Sequence, residues 1–209
     1  VSAERGAGRS LVAANLARTL AMKERSTLLV DADPGTDAGR RPQETCGVTG
    51  NDRGLLQVLD GSTTLKAAML KTDLDKLHCL GPGQPGEGLP VPLVLGGRRM
   101  AKFIDGLRRF HGRVVYDLPP LLGHETALEA AAAIGKVVLV VRSGWSRRAE
   151  TRKLVDLLQK RHINILGTLV TDVPEHYLEH TMPVSKQAVA DRTPHEEKRD
   201  GYPDAIQNA

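Results

Sequence analysis

The chain opens with a glycine-rich segment whose residue types suit the binding of a phosphate group. Residues 3–10 read AERGAGRS. Gly6 and Gly8 allow the backbone to curl so that successive N–H groups point at one anion. A helix beginning near Ser10 adds the positive end of its dipole, and the Ser10 hydroxyl can ligate Mg²⁺. We therefore predict a phosphate-binding loop here, although a glycine-rich segment taken alone can be only a turn.

Two positions depart from the standard phosphate-loop pattern, GxxxxGK[ST]. Ala3 stands at the first glycine and Arg9 stands at the lysine. A lysine reaches the β- and γ-phosphates as a compact point charge, whereas a guanidinium is larger and planar. The segment therefore predicts that phosphate is held, and it argues against fast phosphoryl transfer.

Carboxylates follow two apolar segments that have the character of buried strands. Leu28, Leu29 and Val30 precede an Asp-Ala-Asp run at 31–33, and residues 114–116 precede Asp117. Open α/β sheets bind ligands at the carboxyl ends of their strands. Acids placed there beside a phosphate loop can hold a hydrated Mg²⁺. An aspartate after a strand is often only a turn or a helix cap, but the order of the three motifs favours the metal interpretation.

Strand and helix patterns alternate along the rest of the chain. The predicted helices are 11–25, 53–59, 65–70, 98–111, 126–134 and 147–161, and the predicted strands are 27–30, 77–80, 114–116, 136–142 and 165–170. This alternation predicts an α/β fold with a mainly parallel sheet. Residues 81–97 are rich in Pro and Gly and predict a surface loop. We expect one domain over 1–180 and a polar, flexible tail over 181–209.

Composition narrows the possible classes of protein. The 209 residues carry 29 Lys and Arg against 25 Asp and Glu, and only 3% are aromatic. Such a small excess of positive charge with so few aromatic residues argues against a nucleic-acid partner. Cys46 and Cys79 lack metal-ligand spacing, so we expect two buried thiols in a reducing compartment. No apolar run approaches 18 residues, and none predicts a membrane span.

The segments SAERGAGRS, LLVDADP, VVYDLPP and KVVLVVRSG, in this order, resemble the P-loop family of bacterial capsule and exopolysaccharide synthesis. That family comprises the cytoplasmic domains of bacterial tyrosine kinases and polysaccharide co-polymerase ATPases, which are related to the MinD and ParA ATPases. The resemblance runs from Val1 to about Val173. It implies a three-layer α/β/α P-loop fold whose first strand is truncated, because only Val1 and Ser2 precede the loop. The chain is therefore expected to be a fragment.

The resemblance also implies ATP and Mg²⁺ as cofactors, with a role for each site residue. Asp31 would orient or activate the attacking group, Asp33 would support the metal site, and Arg9 would stabilise charge on the phosphates; these three are the candidate catalytic residues. The candidate metal ligands are Ser10, Asp31 and Asp117. The candidate cofactor-binding residues are Gly6, Ala7, Gly8, Arg9, Ser10 and Leu11.

The expected partners are a membrane chain-length or co-polymerase protein, or an N-terminal membrane domain, and further copies of the chain. The expected location is the cytoplasmic face of the cell membrane. No nucleic-acid partner is expected.

Several residues depart from the family pattern. Arg9 stands for lysine, Gly35 for the arginine of D-x-D-x-R, Leu118 for threonine, and Thr171 near an asparagine that often meets the base. The C-terminal tyrosine cluster of the kinases is missing, with only Tyr177 and Tyr202 in the last stretch. Together these departures favour a weakened kinase. The alternatives are a pseudokinase-like assembly module and a MinD/ParA-like positioning ATPase. Glu4, at the place of the MinD/ParA signature lysine, argues against the latter.

Overall fold

Six strands lie within the residues that the structure describes, and most of them form from apolar segments. The computed structural model describes residues 1–35, 41–48, 53–84, 97–109 and 112–178. The first sheet has the order β2-β3-β1-β4 and the second has the order β5-β6. The strands are β1 Thr27–Asp31, β2 Leu70–Lys71, β3 Leu77–Leu80, β4 Arg113–Asp117, β5 Lys136–Arg142 and β6 Asn164–Thr171. All pair in parallel except β2, which is antiparallel to β3.

The register of β1 brings the two acidic motifs together. β1 lies between β3 and β4, and its last residue, Asp31, is directly beside Asp117 of β4. Every residue of β1 is buried, as expected of a parallel strand that is covered on both faces. The two carboxylates therefore meet at the carboxyl edge of the sheet.

Eight helices lie in the described parts of the chain, and residues from some of them pack against both faces of β1. On one face, Leu29 packs with alanines of the first helix, while Leu28 and Val30 on the other pack with the larger core, as the alternation of side chains along a strand requires. The helices are α1 Arg9–Met22, α2 Pro42–Thr45, α3 Leu55–Asp60, α4 Leu65–Ala68, α5 Gly97–Leu107, α6 Glu125–Ile134, α7 Arg148–Lys160 and α8 Glu175–Leu178.

The predicted elements are recovered with small shifts at their ends, and the predicted α/β fold is confirmed. α1 begins at Arg9 rather than at residue 11, because Gly8 takes a left-handed conformation and serves as its N-cap. The helix predicted over 65–70 ends at Ala68, since Met69 is extended, and Leu70–Lys71 forms β2 instead. Residues 85–96 of the predicted loop and the predicted tail, 181–209, lie outside the described residues.

Two further expectations concern the thiols and the membrane. Cys46 and Cys79 are both free and buried, as predicted. Among the described helices, none has the length and apolar character needed to cross a membrane.

Candidate functional site

The glycine-rich loop takes the conformation that its sequence predicts. Gly6 has a φ of 77° and Gly8 a φ of 85°, and both flank the buried Ala7, whose φ is negative. Alternation between left- and right-handed residues turns successive N–H groups towards one point. Gly8 caps α1 without a side-chain hydrogen bond, so the first turn of that helix keeps backbone N–H groups for a ligand. The loop and helix together can hold an anion.

Side chains at the end of β5, just after it, and at the end of β6 hold the loop from behind through its carbonyl groups. Trp145 Nε1 donates to Arg5 O at 3.3 Å, Arg142 Nη1 to Gly6 O at 3.2 Å, and Thr171 Oγ1 to Ala7 O at 2.9 Å. In a trans peptide the N–H points opposite to the C=O. The N–H groups of residues 6, 7 and 8 therefore point away from these supporting side chains.

The supporting side chains also contact one another and crowd the glycines. Arg142 pairs with Asp172 at 2.7 Å, and its guanidinium carbon lies 5.5 Å from the Trp145 ring centre. A Cβ added to Gly6 would lie 3.4 Å from Trp145, and one added to Gly8 would lie 3.3 Å from Thr171. Thr171, at the place expected to face a base, thus has its hydroxyl hydrogen-bonded to the loop.

The predicted metal ligands lie together beneath the loop. Ser10 Oγ donates to Asp117 Oδ2 at 2.6 Å, and Asp31 is the register partner of Asp117. Burial and the neighbouring charge of Asp117 raise the pKa of Asp31 to about 7, and burial raises the pKa of Asp117. Two adjacent buried carboxylates repel one another, and a hard divalent cation with oxygen ligands relieves that repulsion. This donor set fits Mg²⁺.

The number of protein ligands suits magnesium bound to a phosphate. In the parts of the chain that the structure describes, no group of three or more His, Cys, Asp or Glu side chains is arranged to hold a metal. Mg²⁺ usually keeps several waters and takes one or two carboxylates together with phosphate oxygens. Ser10 and the adjacent acids supply the protein's share of such a site.

Arg9 and Asp33 form an ion pair at the side of the loop. Arg9 Nη2 donates to Asp33 Oδ2 at 3.1 Å, and Arg9 Nη1 donates to Ser2 Oγ at 3.2 Å. The other carboxylate oxygen of Asp33 accepts the N–H of Gly35 at 3.0 Å. The guanidinium is buried between these partners, so Arg9 and Asp33 compensate one another's charge beside the two remaining acids.

Arg41 completes the site, and the sequence analysis did not identify it. Its Nη1 donates to Asp31 Oδ2 at 3.3 Å and to the backbone oxygen of Asp33 at 3.1 Å. Gly35 lacks the guanidinium that the D-x-D-x-R pattern expects, and Arg41 brings one to the same pair of aspartates from the start of α2. Arg41 is ten residues from Asp31 in sequence, so a short motif such as D-x-D-x-R does not identify it.

A cavity of about 540 Å³ joins these groups, a volume within the usual range for small-molecule sites. Every residue predicted for the site lines it. The lining residues are Arg5, Gly6, Ala7, Gly8, Arg9, Ser10, Leu11, Asp31, Asp33, Gly35, Arg41, Pro42, Thr45 and Asp117. The cavity thus joins the convergent backbone N–H groups of the loop to the adjacent carboxylates of Asp31 and Asp117.

Relatives of this chain are bacterial proteins named as tyrosine-protein kinases. EpsB of Ralstonia solanacearum is 30% identical over 170 residues, which are 78% of this chain and 21% of EpsB. CpsD of Streptococcus agalactiae is 27% identical over 176 residues, which are 83% of this chain and 74% of CpsD. The chain thus spans about a fifth of EpsB and about three quarters of CpsD. No family model matches the chain.

Solved structures share the fold. The chimerical protein CapA2B2 superposes with a TM-score of 0.73 at 26% identity, over 83% of this chain and 74% of that one. The septum site-determining protein MinD of Pyrococcus horikoshii, complexed with Mg-ADP, gives a TM-score of 0.68 at 24% identity, over 86% of this chain and 74% of that one. These similarities confirm both the P-loop α/β fold and the resemblance found in the sequence.

Proposed function

We propose that this chain, a homologue of the bacterial P-loop tyrosine-protein kinases, binds ATP with Mg²⁺ and transfers the γ-phosphoryl group to tyrosine or to water. The observation that carries the proposal is the hydrogen bond from Ser10 to Asp117 beside Asp31, beneath a loop whose N–H groups converge. A hydroxyl and two buried carboxylates in this arrangement would hold a hydrated divalent metal beside a phosphate group.

Different residues of the chain would bind the phosphates, hold the metal and accept the proton in such a reaction. Mg-ATP, when bound, supplies the phosphoryl group and the positive charge of the metal. The N–H groups of residues 6–10 bind phosphate oxygens, and Ser10 and Asp117 hold the metal side of the site. Asp31, which is buried and lies beside Asp117, would accept the proton of the attacking hydroxyl.

We place this activity in the synthesis and export of a capsule or exopolysaccharide, at the cytoplasmic face of the membrane. The support is the order of the four sequence motifs and the names of the relatives. On the same basis the proposed partners are a membrane chain-length or co-polymerase protein, or an N-terminal membrane domain, and other copies of this chain. The chain covers about a fifth of EpsB, and the activity of the whole protein is part of the proposal.

Phosphate transfer from labelled ATP to a tyrosine polymer tests this proposal. We expect Asp31→Asn to lower the rate by about 10²- to 10⁴-fold, the usual contribution of a general base. Asp156→Asn, which changes an exposed acid on α7, is the matched control and should keep the full rate. Equal rates for Asp31→Asn and the wild type would contradict the role of Asp31.

A second candidate is a binding and assembly module that does not transfer phosphate. The observation that favours it is the ion pair of Arg9 with Asp33, since this cation is already bound by protein groups rather than open to a ligand. Arg9→Lys separates the two candidates. A gain of turnover would locate the weakness in the loop, whereas nucleotide binding without turnover in both forms would support the assembly module.

A further inference from the structure

Arg41 reaches the cavity from outside the sequence motifs, and its chemical role follows from how it is held. It directly precedes α2, whose first residue is Pro42. The two partners of its ion pair with Asp31 differ in exposure: the Arg41 side chain is 30% exposed, and that of Asp31 is 2% exposed. A fixed, buried carboxylate therefore holds a guanidinium that still reaches solvent and lines the cavity.

Arg9, a second arginine that lines the cavity, is held more firmly. Arg9 is only 8% exposed and is bound on two sides, by Ser2 and by Asp33. Both hydrogen bonds that the structure describes for the Arg41 side chain come from a single atom, Nη1, while a guanidinium carries five N–H donors. Of the two arginines, Arg41 is therefore better able to move to an incoming phosphate.

We propose that Arg41 moves from Asp31 to the terminal phosphate of a bound nucleoside triphosphate and so distinguishes ATP from ADP. The inference rests on the proposed function. Ser10 and Asp117, which are hydrogen-bonded to each other, would hold the metal beside the phosphate chain, and Asp31 lies beside Asp117. A guanidinium held at Asp31 is therefore close to the metal side of the site, where a third phosphate would lie.

The chemistry of the two acceptors favours this movement. A terminal phosphate offers more negative charge and more acceptor oxygens than one carboxylate, and a guanidinium binds it through two parallel N–H···O bonds. Departure of Arg41 also leaves the Asp31 carboxylate free to accept a proton. In a single movement, Arg41 therefore binds the third phosphate and frees the Asp31 carboxylate.

Calorimetric titration with Mg-ADP and with the magnesium salt of adenylyl imidodiphosphate, which is not readily hydrolysed, tests the inference. We expect Arg41→Gln to lower affinity for the triphosphate analogue by about tenfold or more, the usual effect of losing a charged hydrogen bond. Affinity for ADP should change by no more than about twofold. Arg41→Lys, which keeps the charge without the planar fork, should fall between these values.

Arg18→Gln is the matched control. It removes an arginine that pairs with Asp73 at 2.8 Å and does not line the cavity, so it should bind both ligands as the wild type does. Thermal melting without ligand checks that each variant is folded. Equal losses for both ligands in Arg41→Gln would overturn the inference, because Arg41 would then only shape the cavity, and unchanged affinities would overturn it as well. A folded wild type that binds neither ligand would overturn the proposed function together with the inference.

Discussion

The two sides of the phosphate-binding loop differ in how their polar groups are held. On the cavity side, Asp31 and Asp117 are each only 2% exposed and adjacent, and their pKa values are raised. On the supporting side, Trp145 is 58% exposed, and Arg142 and Asp172 form their ion pair at the surface. The cavity side therefore carries buried carboxylates, whereas the supporting side holds the loop backbone through hydrogen bonds from exposed or half-buried side chains.

This difference indicates which side supplies chemistry and which side supplies shape. Buried like charges destabilise the folded chain until a cation or a proton compensates them. Surface hydrogen bonds to the loop carbonyls contribute little electrostatic energy but fix the direction of the N–H groups. Changes on the cavity side should therefore respond strongly to pH and to ligand identity, and changes on the supporting side should affect all phosphate ligands alike.

The largest effect is expected at Asp31. Its pKa is about 7 in the folded chain against an ordinary value of 3.8. Between these values the folded state binds more protons than the unfolded state, so the free energy of unfolding falls as the pH rises. Asp31→Asn removes the ionisable carboxyl and with it this destabilisation. We expect the variant to have a free energy of unfolding at pH 8 that is higher by up to about 4 kcal/mol. The gain should disappear near pH 4, as measured by urea unfolding across this range.

Asp73→Asn is a control of opposite sign. The hydrogen bond from Arg18 lowers the pKa of this exposed carboxyl, so its contribution to stability is present above its ordinary pKa and is lost as the pH falls. The variant should be slightly less stable than the wild type at neutral pH. A gain for Asp31→Asn that does not depend on pH would contradict the assignment of a buried, charge-repelled carboxyl to the cavity.

An intermediate effect is expected at Gly6, which lies between the two sides. Gly6→Ala adds a Cβ at a φ of 77° and 3.4 Å from Trp145. Left-handed backbone costs a residue with a Cβ about 1–2 kcal/mol. We expect lower stability in thermal unfolding together with weaker binding of both ADP and ATP, because the loop N–H groups no longer converge.

Gly61→Ala is the control that separates the loss of stability from the loss of nucleotide affinity. Gly61 has a φ of 85°, and nothing described lies within 4 Å of the added Cβ. This variant should lose a similar amount of stability and keep its nucleotide affinity. Equal affinities for the Gly6 and Gly61 variants would show that the loop conformation is not what binds phosphate.

The smallest effect is expected at Thr171 on the supporting side. Thr171→Val keeps the shape of the side chain and removes the 2.9 Å hydrogen bond to Ala7 O. Losing one such bond costs about 1 kcal/mol, or about fivefold in affinity. Titration should show similar losses for ADP and for the triphosphate analogue. A loss confined to the triphosphate would place Thr171 among the cavity residues and break the distinction between the two sides.

The sequence predicted the cavity side far better than the supporting side. The loop and the acids at the ends of β1 and β4 are local patterns, and the alternation of strands and helices predicts the parallel sheet in which Asp31 lies beside Asp117. Trp145 and Thr171 act on carbonyls more than 130 positions away. Any side chain of suitable type can donate to a backbone oxygen, so these contacts leave no sequence motif.

Arg9 and Arg41 mark the limit of the motif-based prediction within the cavity itself. The sequence identified Arg9 as a replacement for lysine, but its ion pair with Asp33 depends on the spacing between α1 and the end of β1 in three dimensions. For Arg41, the D-x-D-x-R pattern indicated a missing arginine at Gly35. The structure instead brings the guanidinium from the start of α2. Motif spacing describes one stretch of chain, whereas an ion pair depends on where separate stretches meet.

Calorimetric titration of the folded wild-type chain with ATP, in the presence and absence of Mg²⁺, tests the central claim most directly. The account predicts binding in the micromolar range that requires Mg²⁺. It also predicts weaker binding when Ser10 is changed to alanine, because the hydrogen-bonded Ser10 and Asp117 are the proposed metal side of the site. Absence of binding by a chain whose melting curve shows a cooperative fold would contradict the account.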